Sequence, residues 1–326
     1  MKKFIAILMT ALLTALLLTA CTAQQSGNSR HLTVGIIQMM EHPSLDLIRE
    51  SFLEEMANLG YDDVVFDHRN GTGDMGSLTT IAQMFVGNQV DLILAIATPA
   101  AQAAAGAVEA AGSDIPIIFG AVTDPVRAEL VASLDNPDRN ITGTSDVICV
   151  DSIFAFAKEL APDARTFGLV YNIGEVNSVS VINRTKERFA EWGFTYLEAT
   201  VTGTAEVQQA ALSLVGHVDA FFTPIDNTVA SAMPVFARVG MDAGLPIFTG
   251  ADSMVMDGGL ATVGIDYAIL GAETARMVSQ VLGGTSVSDM PVVTMQDFRT
   301  LVNRYTADYI GVSLDGLGAH VEIYEG

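Results

Sequence analysis

The chain reads nearly the same way twice, and this repetition limits its architecture more than any single motif. Ile115-Pro116-Ile117-Ile118-Phe119-Gly120-Ala121 returns as Leu245-Pro246-Ile247-Phe248-Thr249-Gly250-Ala251, 130 positions on. The run 91–95, continuing to Thr98, returns at 219–223 and Asp226, 128 positions on. Gly35-Ile36-Ile37-Gln38 returns as Gly168-Leu169-Val170-Tyr171, 133 positions on. Three buried-strand patterns in one order and at one nearly constant spacing predict two similar βα lobes. Between such lobes lies a cleft, where a ligand is to be sought.

The pattern along the chain agrees. Strands are expected at 32–38, 64–67, 91–96 and 116–120, with helices at 43–59, 78–86 and 99–111 between them. The second series has strands at 166–171, 195–199, 220–223 and 246–249 and helices at 177–192, 205–215 and 227–239. A strand-like run at 260–264, a long helix at 267–282 and a tail without counterpart, 292–302 with 305–310, follow. Strands alternating with helices predict parallel sheets covered by helices. The fold class expected is α/β, two Rossmann-like lobes with a ligand cleft between them. Residues 31–145 form the first lobe in this reading, completed by about 252–285; residues 146–251 form the second, completed by about 286–326. Gly143-Thr144-Ser145 and the Gly250 region are the candidate crossovers, since glycine-rich joints absorb rotation. Cys149 lies in an apolar stretch that reads as strand.

The N-terminus indicates export. Lys2 and Lys3 precede an apolar run from Phe4 to Leu18, then Leu18-Thr19-Ala20-Cys21. A basic start, an apolar stretch and small residues before a cut site make a signal peptide over 1–20. The Cys placed there resembles a bacterial lipobox, so Cys21 is the expected lipidation site and 21–30 a polar tether. The reading is thus of an extracytoplasmic, membrane-anchored protein. Cys21 and Cys149 are the only cysteines, so no disulfide framework is expected.

Charge narrows the partners. The formal charge of −22 becomes −24 without Lys2 and Lys3, with no basic stripe to offset it. Nucleic acid is an unsuitable partner for such a surface. A cationic or zwitterionic solute fits better than a polyanion, although acidity also serves solubility.

Ligands of open α/β sheets bind beyond the carboxyl ends of the strands. The residues to examine are therefore 38–42, 98–102 and 121–124 in the first lobe, 172–178, 226–228 and 252–253 in the second, then 266–267. The candidate contacts are Gln38, His42, Thr98, Ala100, Thr123, Asp124, Glu175, Asn177, Asp226, Asn227, Asp252 and Asp266. Carboxylates of Glu175, Asp226 or Asp252 could hold an ammonium by charge-assisted bonds. Helix starts after Ala97 and Ala121, with the Thr98 or Thr123 hydroxyl, could hold a carboxylate. Together they would recognise an α-amino acid. Each acid is as readily a helix cap, so only their convergence favours a ligand.

Other chemistry finds no support. Gly71-Thr72-Gly73-Asp74-Met75-Gly76 matches GxGxxG but follows the second strand, and the next acid, Asp91, begins a strand. The five His are scattered, without metal-ligand spacing. No Gly-x-Ser-x-Gly elbow or nucleophile–base pair is apparent. The expectation is a binding protein and not an enzyme, with no cofactor and no metal.

The motifs resemble a known family. His42-Pro43-Ser44-Leu45-Asp46, Ala97-Thr98-Pro99-Ala100-Ala101-Gln102 and Val122-Thr123-Asp124-Pro125 carry the likeness in the first lobe, after Gly35-Ile36-Ile37-Gln38. Tyr171-Asn172, Glu175-Val176-Asn177-Ser178, Pro224-Ile225-Asp226-Asn227-Thr228 and Gly264-Ile265-Asp266-Tyr267 carry it further. In order and position these are similar to the ABC-transporter substrate-binding lipoproteins typified by the tryptophan-binding protein of streptococci. The resemblance implies a periplasmic-binding-protein-like fold of type I. It also implies uptake of an aromatic or large apolar amino acid through a permease and an ATPase encoded elsewhere. Phe119 stands where the second repeat has Thr249; turned into the cleft it would offer a stacking surface. A monomer is expected. The rival readings are a ligand-sensing receptor for a membrane signalling protein, or a receptor for a nucleoside or sugar.

Overall fold

The computed structural model describes residues 31–326, so the signal peptide, Cys21 and tether expected at 1–30 lie outside the described residues. In the first lobe, β1 (Thr33–Gln38), β2 (Val65–Asn70), β3 (Leu92–Ile96), β4 (Ile117–Gly120) and β5 (Ile141–Ser145) alternate with α1 (Pro43–Asn58), α2 (Met75–Gly87) and α3 (Thr98–Ala111). A distant strand, β11 (Val293–Thr294), joins the edge of this sheet, whose order is β11-β5-β4-β3-β1-β2 with every pair parallel. Strands β3, β4 and β5 are buried along their whole length, as strands covered by helices on both faces must be.

The second lobe repeats the plan. β6 (Thr166–Asn172), β7 (Thr195–Val201), β8 (Ala220–Thr223), β9 (Ile247–Thr249) and β10 (Ala261–Gly264) alternate with α4 (Val150–Leu160), α5 (Val176–Trp192), α6 (Val207–Leu214), α7 (Asn227–Ser231), α8 (Met233–Ala243) and α9 (Asp252–Met256). The tail adds β12 (Arg299–Asn303), α11 (Arg304–Ile310) and β13 (Val321–Tyr324). The sheet order is β13-β12-β10-β9-β8-β6-β7, parallel except where β12 runs against β10. One face of this sheet is lined by phenylalanines. Phe154 and Phe189 meet edge to face at 4.7 Å, and Phe167, Phe194 and Phe222 pack around them. Such pairs add about 0.5–1.5 kcal/mol each beyond the area they bury.

The chain passes between sheets three times, at 146–149, 265–266 and 295–298. After the second passage, α10 (Tyr267–Leu282) lies on α1. Leu45, Ile48, Phe52 and Met56 form one buried stripe on α1, and Leu270, Ala275 and Val278 are buried on α10. Each large side chain so buried contributes roughly 1.5–3 kcal/mol. The helices approach so closely that a Cβ on Gly271 would stand 2.5 Å from the Ile48 carbonyl oxygen. Gly271→Ala would therefore force them apart.

Four details differ from the sequence reading. The segment 252–285 divides, with α9 and β10 in the second lobe and α10 in the first, while β11 leaves the tail for the first sheet. Residues 141–145 form a strand and Cys149 caps α4, where the reading had a crossover and a strand. The Thr and Ser side chains of β5 hid it, and the structure pairs them: Thr142 donates to the Met290 carbonyl, and Thr144 meets Thr274. Gly143 and Gly250 are not joints: a Cβ would stand 2.0 Å from the Phe119 carbonyl oxygen and 2.5 Å from the Ile225 nitrogen. They are glycine because a neighbouring backbone passes there. Finally, the helix expected over 227–239 breaks at Ala232, because Pro234 has no N–H to continue the ladder and starts α8 instead.

Candidate functional site

The carboxyl ends of the two sheets enclose a small buried pocket with about 10 Å³ of free volume. Its first-lobe wall comes from three strand ends. After β1, the chain runs extended through His42 into α1, putting His42, Ser44 and Leu45 at the cavity. After β3 and β4, Ala97 and Ala121 take φ of +80° and +56°, a left-handed backbone that alanine rarely adopts. These turns cost roughly 1–3 kcal/mol each. They place Thr98, Ala121 and Thr123 in the wall and set the start of α3 beside it. The second lobe contributes Asn177 from α5, Ile225, and Asn227 from α7. Asp146, on one passage between the lobes, and Tyr267, at the helix start just beyond another, complete the lining.

The lining is closed from solvent, Asp146 being 2 % exposed, Thr98 2 % and Tyr267 1 %. Polar bonds cross between lobes around it. Ser180 donates to Asp124 Oδ2 at 2.5 Å, Ser44 and Ser253 meet at 2.5 Å, and His42 Nε2 lies 3.3 Å from Asn227 Oδ1. The lobes are shut, so a solute enters only when they part.

Among the described residues, five buried side-chain polar atoms have no partner, and three of them belong to the lining: His42 Nδ1, Thr98 Oγ1 and Asn177 Oδ1. Leaving such an atom unpaired costs about 1–3 kcal/mol, so their convergence marks a place built for a polar guest. The only carboxylate in the lining is Asp146. Thr123 donates to its Oδ1 at 2.8 Å and the Tyr267 hydroxyl to its Oδ2 at 3.3 Å. Burial pushes this carboxyl up to about 6 against those hydrogen bonds. Burial likewise holds the His42 imidazole below its ordinary range, opposed by its bond to Asn227 and the charge of Glu175.

Of the residues singled out from sequence, His42, Thr98, Thr123, Asn177 and Asn227 meet at the cavity, and the others have different work. Asp226 caps α7: Val229 N–H donates to Oδ1 at 2.8 Å and Asn172 N–H to Oδ2 at 2.6 Å. Burial and the nearby Glu175 charge raise its carboxyl, and it stands outside the lining of the shut pocket, where Asp146 and not Asp226 is the carboxylate. Glu175 is surrounded by donors from Asn177, Asn227 and Thr228. Asp252 accepts from Ser253 N–H, and Asp266 caps α10 while pairing with Arg299 at 2.9 Å. Gln38 donates to Asp46 and accepts from Arg49, bracing α1. Ala100 is buried within α3. Asp124 joins the lobes outside the lining. Phe119 is fully buried against Gly143 and offers no stacking surface; the aromatic residue of the cavity is Tyr267. Asp146 was missed because β5 was, although the strand-end rule applied to β5 points straight to it.

Two α/β lobes that close over a buried polar cavity at their strand ends define a receptor for a small solute. The chain belongs to the family of ABC transporter substrate binding proteins, which its sequence matches over residues 33–316. It is thus the extracytoplasmic component that captures solute for such a transporter. A tyrosine-binding protein from Clostridioides difficile (strain R20291) is 36% identical over 318 residues, spanning 94% of this chain and 91% of the relative. A Streptococcus pneumoniae domain in complex with L-Trp is 35% identical, with a TM-score of 0.84 over 88% of this chain and 96% of that one. The ligand-free, open structure of a substrate binding protein with adhesive properties from Clostridium difficile is 37% identical, covering 90% of this chain and 99% of that one, yet its TM-score is 0.68. Higher identity with lower overlap is what a difference in lobe angle produces, and it agrees with the shut cleft seen here.

Proposed function

We propose that the solute is an aromatic L-amino acid, held between the lobes and handed to a permease and its ATPase without any bond being made or broken. The observation that carries this reading is the closed cavity itself, where one buried carboxylate and three unpaired polar atoms face apolar walls from Leu45, Ile225 and Tyr267. Asp146 takes the ammonium, with charge-assisted bonds strengthened by exclusion of water. The Thr98 hydroxyl and the first free N–H groups of α3 take the carboxylate. The names of the relatives, one tyrosine-binding and one in complex with L-Trp, support this choice of solute.

Calorimetry on refolded, ligand-stripped protein tests it. An aromatic amino acid should bind, and its decarboxylated amine and deaminated acid should bind far more weakly. Tight binding of a sugar or nucleoside, with no heat from any aromatic amino acid, would overturn the choice of solute. The anchor belongs to the same proposal: Cys21 carries lipid, and Cys21→Ser should release the protein from membranes. Retention in the membrane fraction with unchanged cleavage would count against the lipid.

A further inference from the structure

We propose that Glu175 sets the hydrogen-bond polarity of the cavity, and that His42, oriented through it, selects a solute whose side chain carries an O–H or N–H. The proposal rests on the reading of the solute as an aromatic amino acid, and names which aromatic side chains the cavity prefers.

A carboxylate can only accept hydrogen bonds, so every neighbour of Glu175 must turn a donor toward it. Asn227 Nδ2 stands 2.6 Å from Glu175 Oε2. Exchanging the amide oxygen and nitrogen would set two acceptors face to face, so the carboxamide has one orientation. Its Oδ1 is then left toward His42, 3.3 Å from Nε2. That oxygen needs a donor, which places the imidazole proton on Nε2 and leaves Nδ1 a bare lone pair. This nitrogen is the atom found buried without a partner. Asn177 is fixed in the same way: its Nδ2 donates to the Ile225 carbonyl at 2.9 Å and lies 3.3 Å from Glu175 Oε2. Its unpaired Oδ1 is therefore also an acceptor.

A count of acceptors then points to the side chain. The two oxygens of Asp146, Asn177 Oδ1 and His42 Nδ1 make four acceptor positions, whereas an ammonium has three N–H bonds. One acceptor is left for another donor on the solute. Asn177, held against the Glu175 carboxylate, suits the cation. His42, a neutral ring in the same turn as Leu45, takes the side-chain donor. A phenol or an indole supplies one; the phenyl ring of phenylalanine does not.

Nitrogen-15 spectra of His42 in the ligand-stripped wild-type protein test the first half without any solute. The expected signature is a protonated Nε2 with a bare Nδ1, and bound tyrosine should shift Nδ1 whereas bound phenylalanine should not. By calorimetry, tyrosine or tryptophan should bind about tenfold or more tighter than phenylalanine. In His42→Phe that ratio should fall toward one, whatever the change in absolute affinity. Glu175→Gln, whose amide also donates, should give mixed tautomers and an intermediate ratio. A protonated Nδ1 in the wild type, or a ratio that survives His42→Phe, overturns the proposal; if that variant does not fold, the wild-type Nδ1 resonance decides. Should no aromatic amino acid bind at all, the choice of solute falls and selection by His42 with it. The tautomer spectrum of the empty protein still decides the role of Glu175.

Discussion

The Tyr267 hydroxyl donates to the Asp146 carboxylate at 3.3 Å, Asp146 lying on one passage between the lobes and Tyr267 at the helix start just beyond another. Asp146 follows β5 where the chain first leaves the first sheet; Tyr267 begins α10 where the chain returns to it. Part of the cavity lining is thus built from the hinge. Burial, aided by the Asp146 charge, pushes the Tyr267 hydroxyl well above its usual range, so it stays a donor. A solute that binds Asp146 touches the segments whose torsions set the lobe angle, and its contacts in the closed state shift the equilibrium toward closure.

Asp146→Asn should weaken amino-acid binding by about 2–5 kcal/mol, the range for truncating one side of a desolvated charge pair. The empty protein should melt no lower, because an amide in that place carries no charge to bury. Calorimetry beside thermal unfolding separates these. Unchanged affinity would remove Asp146 from the ammonium site.

Asp226→Ala should behave in the opposite way. It strips the cap from α7 and leaves the Asn172 and Val229 N–H groups without their acceptor. The loss of stability should be about 1–3 kcal/mol. Affinity should change little, since Asp226 lies outside the lining. A large loss of affinity at unchanged stability would return Asp226 to the solute.

This reversal between two aspartates shows what the sequence could and could not disclose. The internal repeat was enough for two parallel sheets, and the strand-end rule singled out His42, Thr98, Thr123, Asn177 and Asn227, which line the pocket. It could not rank the acids, because Asp and Glu before a helix satisfy free N–H groups and ligand ammoniums with the same atoms. Glu175, Asp226, Asp252 and Asp266 all turned inward to helix starts. Asp146 stayed hidden behind β5, whose Thr142-Gly143-Thr144-Ser145 has neither an apolar run nor alternation. Phe119 failed for another reason: a strand buried on both faces gives no periodic sign of which side meets the core.

The bond between Ser180 and Asp124 holds the shut lobes at the edge of the cleft. Ser180→Ala removes it while leaving Asp124 partly exposed to water, so no buried charge is orphaned. The closed state should lose about 1 kcal/mol. The solute should dissociate several-fold faster, and small-angle scattering of the empty protein should show a more open average. Equal dissociation rates and scattering in the two proteins would mean the bond forms only incidentally on closure.

Acidification should stabilise the empty protein. Burial pushes the Asp146 and Asp252 carboxyls up to about 6 and raises that of Asp226 as well. A group whose folded value lies above its unfolded value, 3.8 here, takes up a proton on folding. The stability it contributes is full below that unfolded value and is lost as pH rises through the folded one. His42 opposes this: burial lowers its folded value below 6.5, so it withdraws stability as pH falls. Burial lowers His68 in the same sense and raises Asp257, so two imidazoles stand against four carboxylates. That leaves a net gain, and the melting temperature should rise by a few degrees between about pH 8 and about pH 5. The exposed Asp74 and Glu206, whose carboxylates are lowered by backbone hydrogen bonds, act only below about pH 4 and limit the gain there. Bound amino acid should reverse the trend, since its ammonium favours ionised Asp146 and affinity grows as pH rises through about 6. Thermal unfolding across this range, with and without solute, gives both slopes. A melting temperature of the empty protein that falls on acidification would show that these carboxyls are ionised in the closed state at no cost.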